Sequence, residues 1–252
     1  MRIAALYDIH GNLPALEAVL QEVAQENPDL IVVGGDVASG PLPRATLDRL
    51  RDLGDRARFI SGNADRELVS CIDGDPPPAR LPAEVRAGIA WAAGQLSQTH
   101  RDVLAHLPTH LVLAIDGLGE VLFCHGSPRS DEEIITRLSP EARVREALRG
   151  VAQRVVVCGH THMQFDRWVG AVRLINAGSV GMPYGEPGAY WALLGPDVQR
   201  RRTLYDVDAA AARIYASGYP QAREFAEENV RRPPTEAAAI AVFEQMAAQE
   251  QP

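Results

Sequence analysis

The chain has 252 residues, 46% hydrophobic and 23% charged, and its 33 acidic residues outnumber 25 basic ones for a formal net charge of −8. That length and composition suit an ordinary globular protein with a full core. The acidic balance argues against a general nucleic-acid or anionic-membrane binder but leaves room for a small phosphorylated substrate, since bound cations can supply positive charge locally.

RIAALYD reads as a buried strand, short and apolar, that Asp8 cuts off too early for a signal peptide. LPALEAVLQEVAQE has Leu13, Leu16, Val19, Leu20 and Val23 at helical spacing, with Asn12 placed as cap and Pro14 in the first turn. DLIVVGGD is a second strand, followed by a helix over about Pro43 to Leu53, and RARFISGN is a third. This β-α-β-α-β order favours parallel pairing. Residues 64–108 read as a helical insertion over one edge of the sheet, interrupted by the turn-rich DGDPPPARLP.

HLVLAIDGLGEVLFCHG is a hairpin pattern around Asp116-Gly117. SPEARVREALRG is a helix, with Ser139 expected as its cap and Pro140 at its first position. QRVVVCGH is another buried strand. FDRWVGAVRLINAGS gives two short strands, and AYWALLGPDVQRRRTLYD a further hairpin across Gly195-Pro196. The tail, 208–249, is helical. Its last helix, TEAAAIAVFEQMAAQE, carries Ile240, Phe243 and Met246 along one side, a face for the body of the protein or for the second subunit of a homodimer. Strands that begin parallel and end as hairpins imply an α/β protein of two sheets with helices outside. The whole chain, 1–252, is expected to form one domain.

Three cysteines, Cys71, Cys124 and Cys158, are too few and too scattered for a disulfide framework, and no apolar run reaches the roughly 20 residues of a membrane span. The expected location is the cytoplasm, with no membrane partner.

Five strand ends carry the same chemistry. YDIHGN ends the first with Asp8 and His10, GGDV the second with Asp36, and SGNAD the third with Asn63. FCHGS ends a hairpin strand with His125, and VCGHTHM another with His160 and His162. In open α/β sheets, sites form beyond the carboxyl ends of strands. Four of the chain's seven histidines lie in these motifs. The donor set Asp8, His10, Asp36, Asn63, His125, His160 and His162 has no thiolate, so it is not a cysteine-type structural zinc site. Imidazole, carboxylate and amide oxygen suit divalent Mn, Fe or Zn. Seven side chains exceed one tetrahedral shell and suit two ions sharing a carboxylate, the arrangement that hydrolyses phosphate esters.

The motifs Asp8-x-His10, Gly35-Asp36, Gly62-Asn63-x-Asp65, His125-Gly126 and Gly159-His160-x-His162, in this order, resemble the calcineurin-like metallophosphoesterase superfamily. The string YDIHGNLPALEAVL resembles its branch of small bacterial and archaeal phosphoesterases, which includes diadenosine-tetraphosphatase-like proteins. The resemblance implies a four-layer α-β-β-α sandwich of two mixed sheets. It implies one ion on Asp8, His10 and His162, another on Asn63, His125 and His160, and Asp36 bridging them. A hydroxide shared by the ions would attack phosphorus, and Asn63 and His125, on the open side, would also touch the phosphate. Asn12 and Arg66 are candidate contacts for phosphate oxygens.

One position departs from the pattern. Many superfamily members carry histidine after the asparagine, where it protonates the leaving oxygen; here Ala64 stands there. The branch resembled lacks that histidine in many members and is associated with phosphodiester hydrolysis. The expected activity is therefore a phosphodiesterase. Phosphomonoesters or dinucleoside polyphosphates are the alternative substrates, and a non-catalytic scaffold of the same fold, like the retromer subunit, is the alternative role. His100, His106 and His110 are expected at the surface, the first two within the insertion as candidate replacement acids.

Overall fold

The structure, a computed structural model, describes residues 1–249. Two five-stranded sheets face each other. The first contains β1 (Ile3–Leu6), β2 (Leu30–Val33), β3 (Ala57–Phe59), β9 (Ala189–Leu194) and β10 (Val198–Thr203), in the order β10-β9-β1-β2-β3. β1, β2 and β3 are parallel, while β9 runs antiparallel to both β1 and β10. The second contains β4 (His110–Ile115), β5 (Gly119–Cys124), β6 (Val155–Cys158), β7 (Phe165–Val169) and β8 (Val172–Asn176), in the order β4-β5-β6-β8-β7. Its three central strands are parallel and its two edges antiparallel.

Alternation along single strands explains the layers. In β1, Ile3 and Ala5 join β5 residues Val121 and Phe123 between the sheets. Ala4 and Leu6 instead meet α1 (Leu13–Glu26) on the outer face. Likewise Leu122 and Cys124 of β5 face outward onto Val144 and Ala147 of α6 (Glu141–Ala147). A strand buried on both faces has no polar side to display, which is why these segments read as continuous apolar runs. The result is the expected α-β-β-α sandwich of two mixed sheets.

α2 (Pro43–Arg51), α3 (Asn63–Ile72), α4 (Ala83–Gln95) and α5 (Gln98–Ala105) extend the outer layer of the first sheet, with Leu47, Leu68, Ile89 and Leu104 in its core. The tail comprises α7 (Val207–Tyr215), α8 (Ala222–Phe225), a π-helical turn (Ala226–Arg231) and α9 (Glu236–Gln249). Ile240 and Phe243 of α9 pack on Met163 and Tyr184, so that face is used within the chain. Glu250, which the sequence pattern includes in this helix, lies outside the described residues. No described helix is long and apolar enough to cross a membrane.

Local expectations hold with three corrections. Asn12 caps α1, accepting from Ala15 N at 3.3 Å. Ser139 does not cap α6: the helix starts one residue later, behind Pro140, and the Ser139 hydroxyl instead accepts from Thr136 N at 2.8 Å. The first hairpin closes through three residues, Asp116 to Leu118, because Gly117 and Gly119 both take positive φ. His100 is buried rather than exposed, its ring held between Ser97 N and Asp48 Oδ1 at 3.1 and 2.9 Å.

Candidate metal centre

The strand ends converge through unusual backbone. Asp8, His10, Asp36, His160 and His162 have φ of 53°, 48°, 53°, 66° and 60°. Non-glycine residues rarely adopt this region, and each instance costs on the order of 1–3 kcal/mol. Among the described residues the remaining non-glycine case is Asn27, the C-cap of α1. The strained turns are held by one another: Asp8 N donates to Gly35 O at 3.2 Å, His10 N to Asp36 O at 2.9 Å, and His160 N to Asp8 Oδ2 at 2.9 Å. The left-handed turn points each side chain into the crevice instead of along the strand.

Two triads result, Asp8-His10-His162 and Asp36-His125-His160, each with ligand atoms within 4.8 Å of one another. Asp36 links them, its Oδ2 lying 3.6 Å from His10 Nε2 and 3.4 Å from His125 Nε2. Asp8 Oδ1 stands 3.5 Å from His162 Nε2. These separations are long for hydrogen bonds. They match the roughly 3.4 Å between two ligands each about 2.1 Å from one tetrahedral ion. Asp8 Oδ1, Asn63 Oδ1 and His125 Nε2 are buried with no hydrogen-bond partner. Burying such atoms unpaired is costly, and orphaned donors and acceptors within the two triads and on Asn63 fit bound cations as their partners.

Nδ1 of His10, His125 and His162 faces a backbone carbonyl, Ser39 O at 3.3 Å, Gly34 O at 2.8 Å and Met182 O at 2.7 Å respectively. That bond places the proton on Nδ1 and leaves the Nε2 lone pair for a metal. His160 is fixed from its backbone instead. Burial opposes charge on Asp36, but His125 and then His10 overcome it and hold Asp36 below the carboxylate range. Burial likewise opposes a proton on His125, yet Asp36 and Asp8 lift it to about 10. Burial, then His125, depress His160 to about 4. The proton that His125 holds thus faces both carboxylates, 3.4 Å from Asp36 Oδ2 and 3.7 Å from Asp8 Oδ1.

A family comparison identifies the lineage. The calcineurin-like phosphoesterase superfamily domain matches residues 1–197. The chain belongs to that superfamily. It is 24% identical over 207 residues to phosphodiesterase YfcE of Escherichia coli (strain K12), covering 79% of this chain and 89% of that protein. A shorter stretch, 76 residues at 37% identity, resembles a symmetrical bis(5'-nucleosyl)-tetraphosphatase of Janthinobacterium, covering 29% of this chain and 28% of that protein. The fold is similar to that of a solved metallophosphoesterase from Sphaerobacter thermophilus, with a TM-score of 0.68 and 28% identity, covering 90% and 97% of the two chains. This phosphoesterase is thus a metal-dependent phosphoric ester hydrolase.

A further carboxylate organises the phosphoesterase loops. Asp65, fully buried, accepts from Asp36 N, Val37 N and Gly62 N at 2.8, 2.9 and 3.0 Å. It clamps the β2 turn onto the start of α3, where Ala64 N donates to Asp36 Oδ1 at 2.8 Å. Asp65 stands in the G-N-x-D motif, but sequence reasoning gave it no role because its partners are all backbone. Gly62 is required here, since a Cβ at that position would lie 2.2 Å from Asp36 Oδ1.

Asn12 and Arg66 stand apart from the cluster. The Asn12 amide is buried and donates to Gly181 O at 2.9 Å while capping α1. Arg66 is half exposed and bound by Asp131 and Glu132 at 3.0 and 2.8 Å. Neither lines the cleft over the triads. Nor do His100, His106 or His110.

That cleft encloses about 500 Å³. Its floor is His10, Asp36, Asn63, Ala64 and His160. One wall comes from the insertion, through Glu67, Arg80, Leu81, Glu84, Val85 and Ile89. The other comes from Tyr184 and the tail, through Tyr219, Gln221, Phe225, Phe243 and Met246. Sequence reasoning missed these walls; aromatic residues in a helical tail carry no local motif.

Proposed function

We propose that this protein is a phosphodiesterase that uses two divalent transition-metal ions, Mn, Fe or Zn, and acts on a small phosphorylated substrate. The observation that carries the reading is the pair of Asp/His triads, with Asp36 of one lying 3.6 Å from His10 of the other, and three buried ligand atoms that lack a hydrogen-bond partner. Asp8, His10 and His162 would hold one ion, Asn63, His125 and His160 the other, and Asp36 both. When bound, such a pair of ions activates a water at neutral pH and neutralises charge building on the phosphate oxygens.

The chain's own part is geometric. The carbonyl partners of His10, His125 and His162 fix the rings, and Asp65 fixes Asp36 from behind. Asn63 lines the open side, where a phosphate oxygen would lie, whereas His125, expected there too, is fully buried and off the cleft lining, which leaves it the part of a ligand. Ala64 offers no proton to a leaving oxygen, which favours esters with acidic leaving groups. The complete ligand set favours an enzyme over a scaffold. Residues 1–252 act as one domain in this reading, with insertion and tail both contributing to the substrate cleft.

The partial likeness to a tetraphosphatase supports a second reading, hydrolysis of pyrophosphate links. Activity of the metal-reconstituted protein on aryl diesters, alkyl monoesters and dinucleoside polyphosphates decides between them. Cleavage of aryl diesters with poor monoester turnover is expected. Faster turnover of the polyphosphates contradicts the phosphodiesterase reading.

A further inference from the structure

Two features of the cleft walls point in one direction. The first is aromatic. Tyr184 stacks on His162, with ring centroids 6.0 Å apart and planes at 29°. It meets Phe243 edge-on at 6.0 Å. Rings therefore run without a break from a metal-triad histidine to the tail helix. On the tail segment before α9, Tyr219 packs edge-on to Phe225 at 6.1 Å and to Trp91 at 5.4 Å. Rings fixed edge-on by neighbours present preformed faces, and their contacts with a flat ligand cost little conformational entropy.

The second is charge. Beyond the triads, the lining carries five carboxylates, Glu67, Glu84, Glu132, Glu224 and Glu228. Against them, among the described residues, stands one guanidinium, Arg80. Arg80 is itself engaged, 2.6 Å from Glu132 and 3.5 Å from Glu67. Recognition of phosphate is the work of Arg and Lys or of metal. Only the triad end of this cleft can meet a phosphate; the rest repels one.

We propose that the outer cleft is the subsite for the substrate's organic group, and that it takes a flat, uncharged ring joined to a single phosphodiester, with no second anionic group. A nucleoside or aryl phosphodiester fits this description, and a dinucleoside polyphosphate does not. The inference rests on the phosphoesterase reading for the position of the phosphate. It goes beyond that reading in assigning the group on the other side of the ester.

The test uses three diesters with the same p-nitrophenyl leaving group, so the chemistry at phosphorus is constant. The remaining group is methyl, phenyl or carboxyphenyl. Wild-type kcat/KM is expected to be at least tenfold higher for phenyl than for methyl, and at least tenfold lower for carboxyphenyl than for phenyl. Phe243→Ala should lower kcat/KM more for the phenyl than for the methyl ester. Glu84→Gln combined with Glu228→Gln should narrow the gap between phenyl and carboxyphenyl. Equal rates on all three esters, or preference for the carboxylated one, overturn the proposal. Calorimetric binding of diphenyl phosphate and dimethyl phosphate separates the two readings. Tighter binding of diphenyl phosphate, with no turnover of any of the p-nitrophenyl diesters, would keep the subsite and remove the phosphodiesterase. Turnover with equal affinities would do the reverse.

Discussion

The two ends of the cleft are built differently. At the inner end, side chains leave strained turns at strand termini, and each turn is hydrogen-bonded to the next. At the outer end, aromatic and acidic side chains come from helices and turns of the insertion and tail and from the loops that hold Glu132 and Tyr184. A ligand on a strand-end turn can be moved only by moving the sheet. A residue on an outer helix can be exchanged with little effect on the framework. The inner end thus suits chemistry that needs fixed geometry, and the outer end suits selection among substrates.

The comparison is sharpest at Asp36. Removing the carboxylate that links the two triads should lower activity by roughly 10³-fold or more, beyond the ~10–100-fold typical of outer-shell partners. Circular dichroism of Asp36→Ala should remain that of the wild type. Retention of most activity would break the distinction between the two ends.

One layer back, Asp65→Asn replaces an acceptor of three backbone N–H groups with a side chain that must present its own N–H₂ to one of them. Metal affinity should fall by about 10–100-fold, measured by titration against a chelator of known affinity. Unchanged affinity would mean that the turns hold without the clamp.

Metal loading should also be proton-linked. In the metal-free protein Asp36 and Asp8 lift His125 to about 10, and Asp8 raises His162 against its burial. A cation must expel those protons, so apparent affinity should rise with pH and level off above about 10. The proton on His125 stabilises the metal-free fold, fully below its ordinary value of 6.5 and no longer once pH passes about 10. Calorimetry in buffers of different ionisation enthalpy should show net proton release at neutral pH. Uptake, or no exchange, would contradict the charge balance.

A smaller change probes Ala64, which is buried on the cleft floor. General acid catalysis contributes about 10²–10⁴-fold where it operates. Rates on substituted phenyl esters should therefore depend steeply on leaving-group pKa in the wild type, and less so in Ala64→His. A flat dependence in the wild type would point to another acid, with Glu67 the first to replace. Glu67 lines the cleft, and burial followed by Asp36 pushes its carboxyl up to about 7.

Both sheets, all six triad residues and Asn63 were legible in the sequence because they depend on local patterns. A buried strand is a short apolar run, and a strand-end turn concentrates Asp, His and Gly within a few positions. Asp65 was not legible, since a carboxylate that binds only backbone amides has no partner to read. Nor were Tyr184 and Tyr219; Phe243 was legible as part of a packing face but not as a cleft wall, which forms only when the tail folds back across the sheets. His100 shows the same limit. Its burial depends on Asp48, 52 residues away in α2.

The most direct test of the paired centre is anomalous diffraction from crystals grown with manganese, collected above and below its absorption edge. Two peaks about 3.5–4 Å apart, one beside His10 and His162, the other beside His125 and His160, with the Asp36 carboxylate touching both, is the result expected. A single peak at full occupancy, or peaks away from the strand ends, would contradict it.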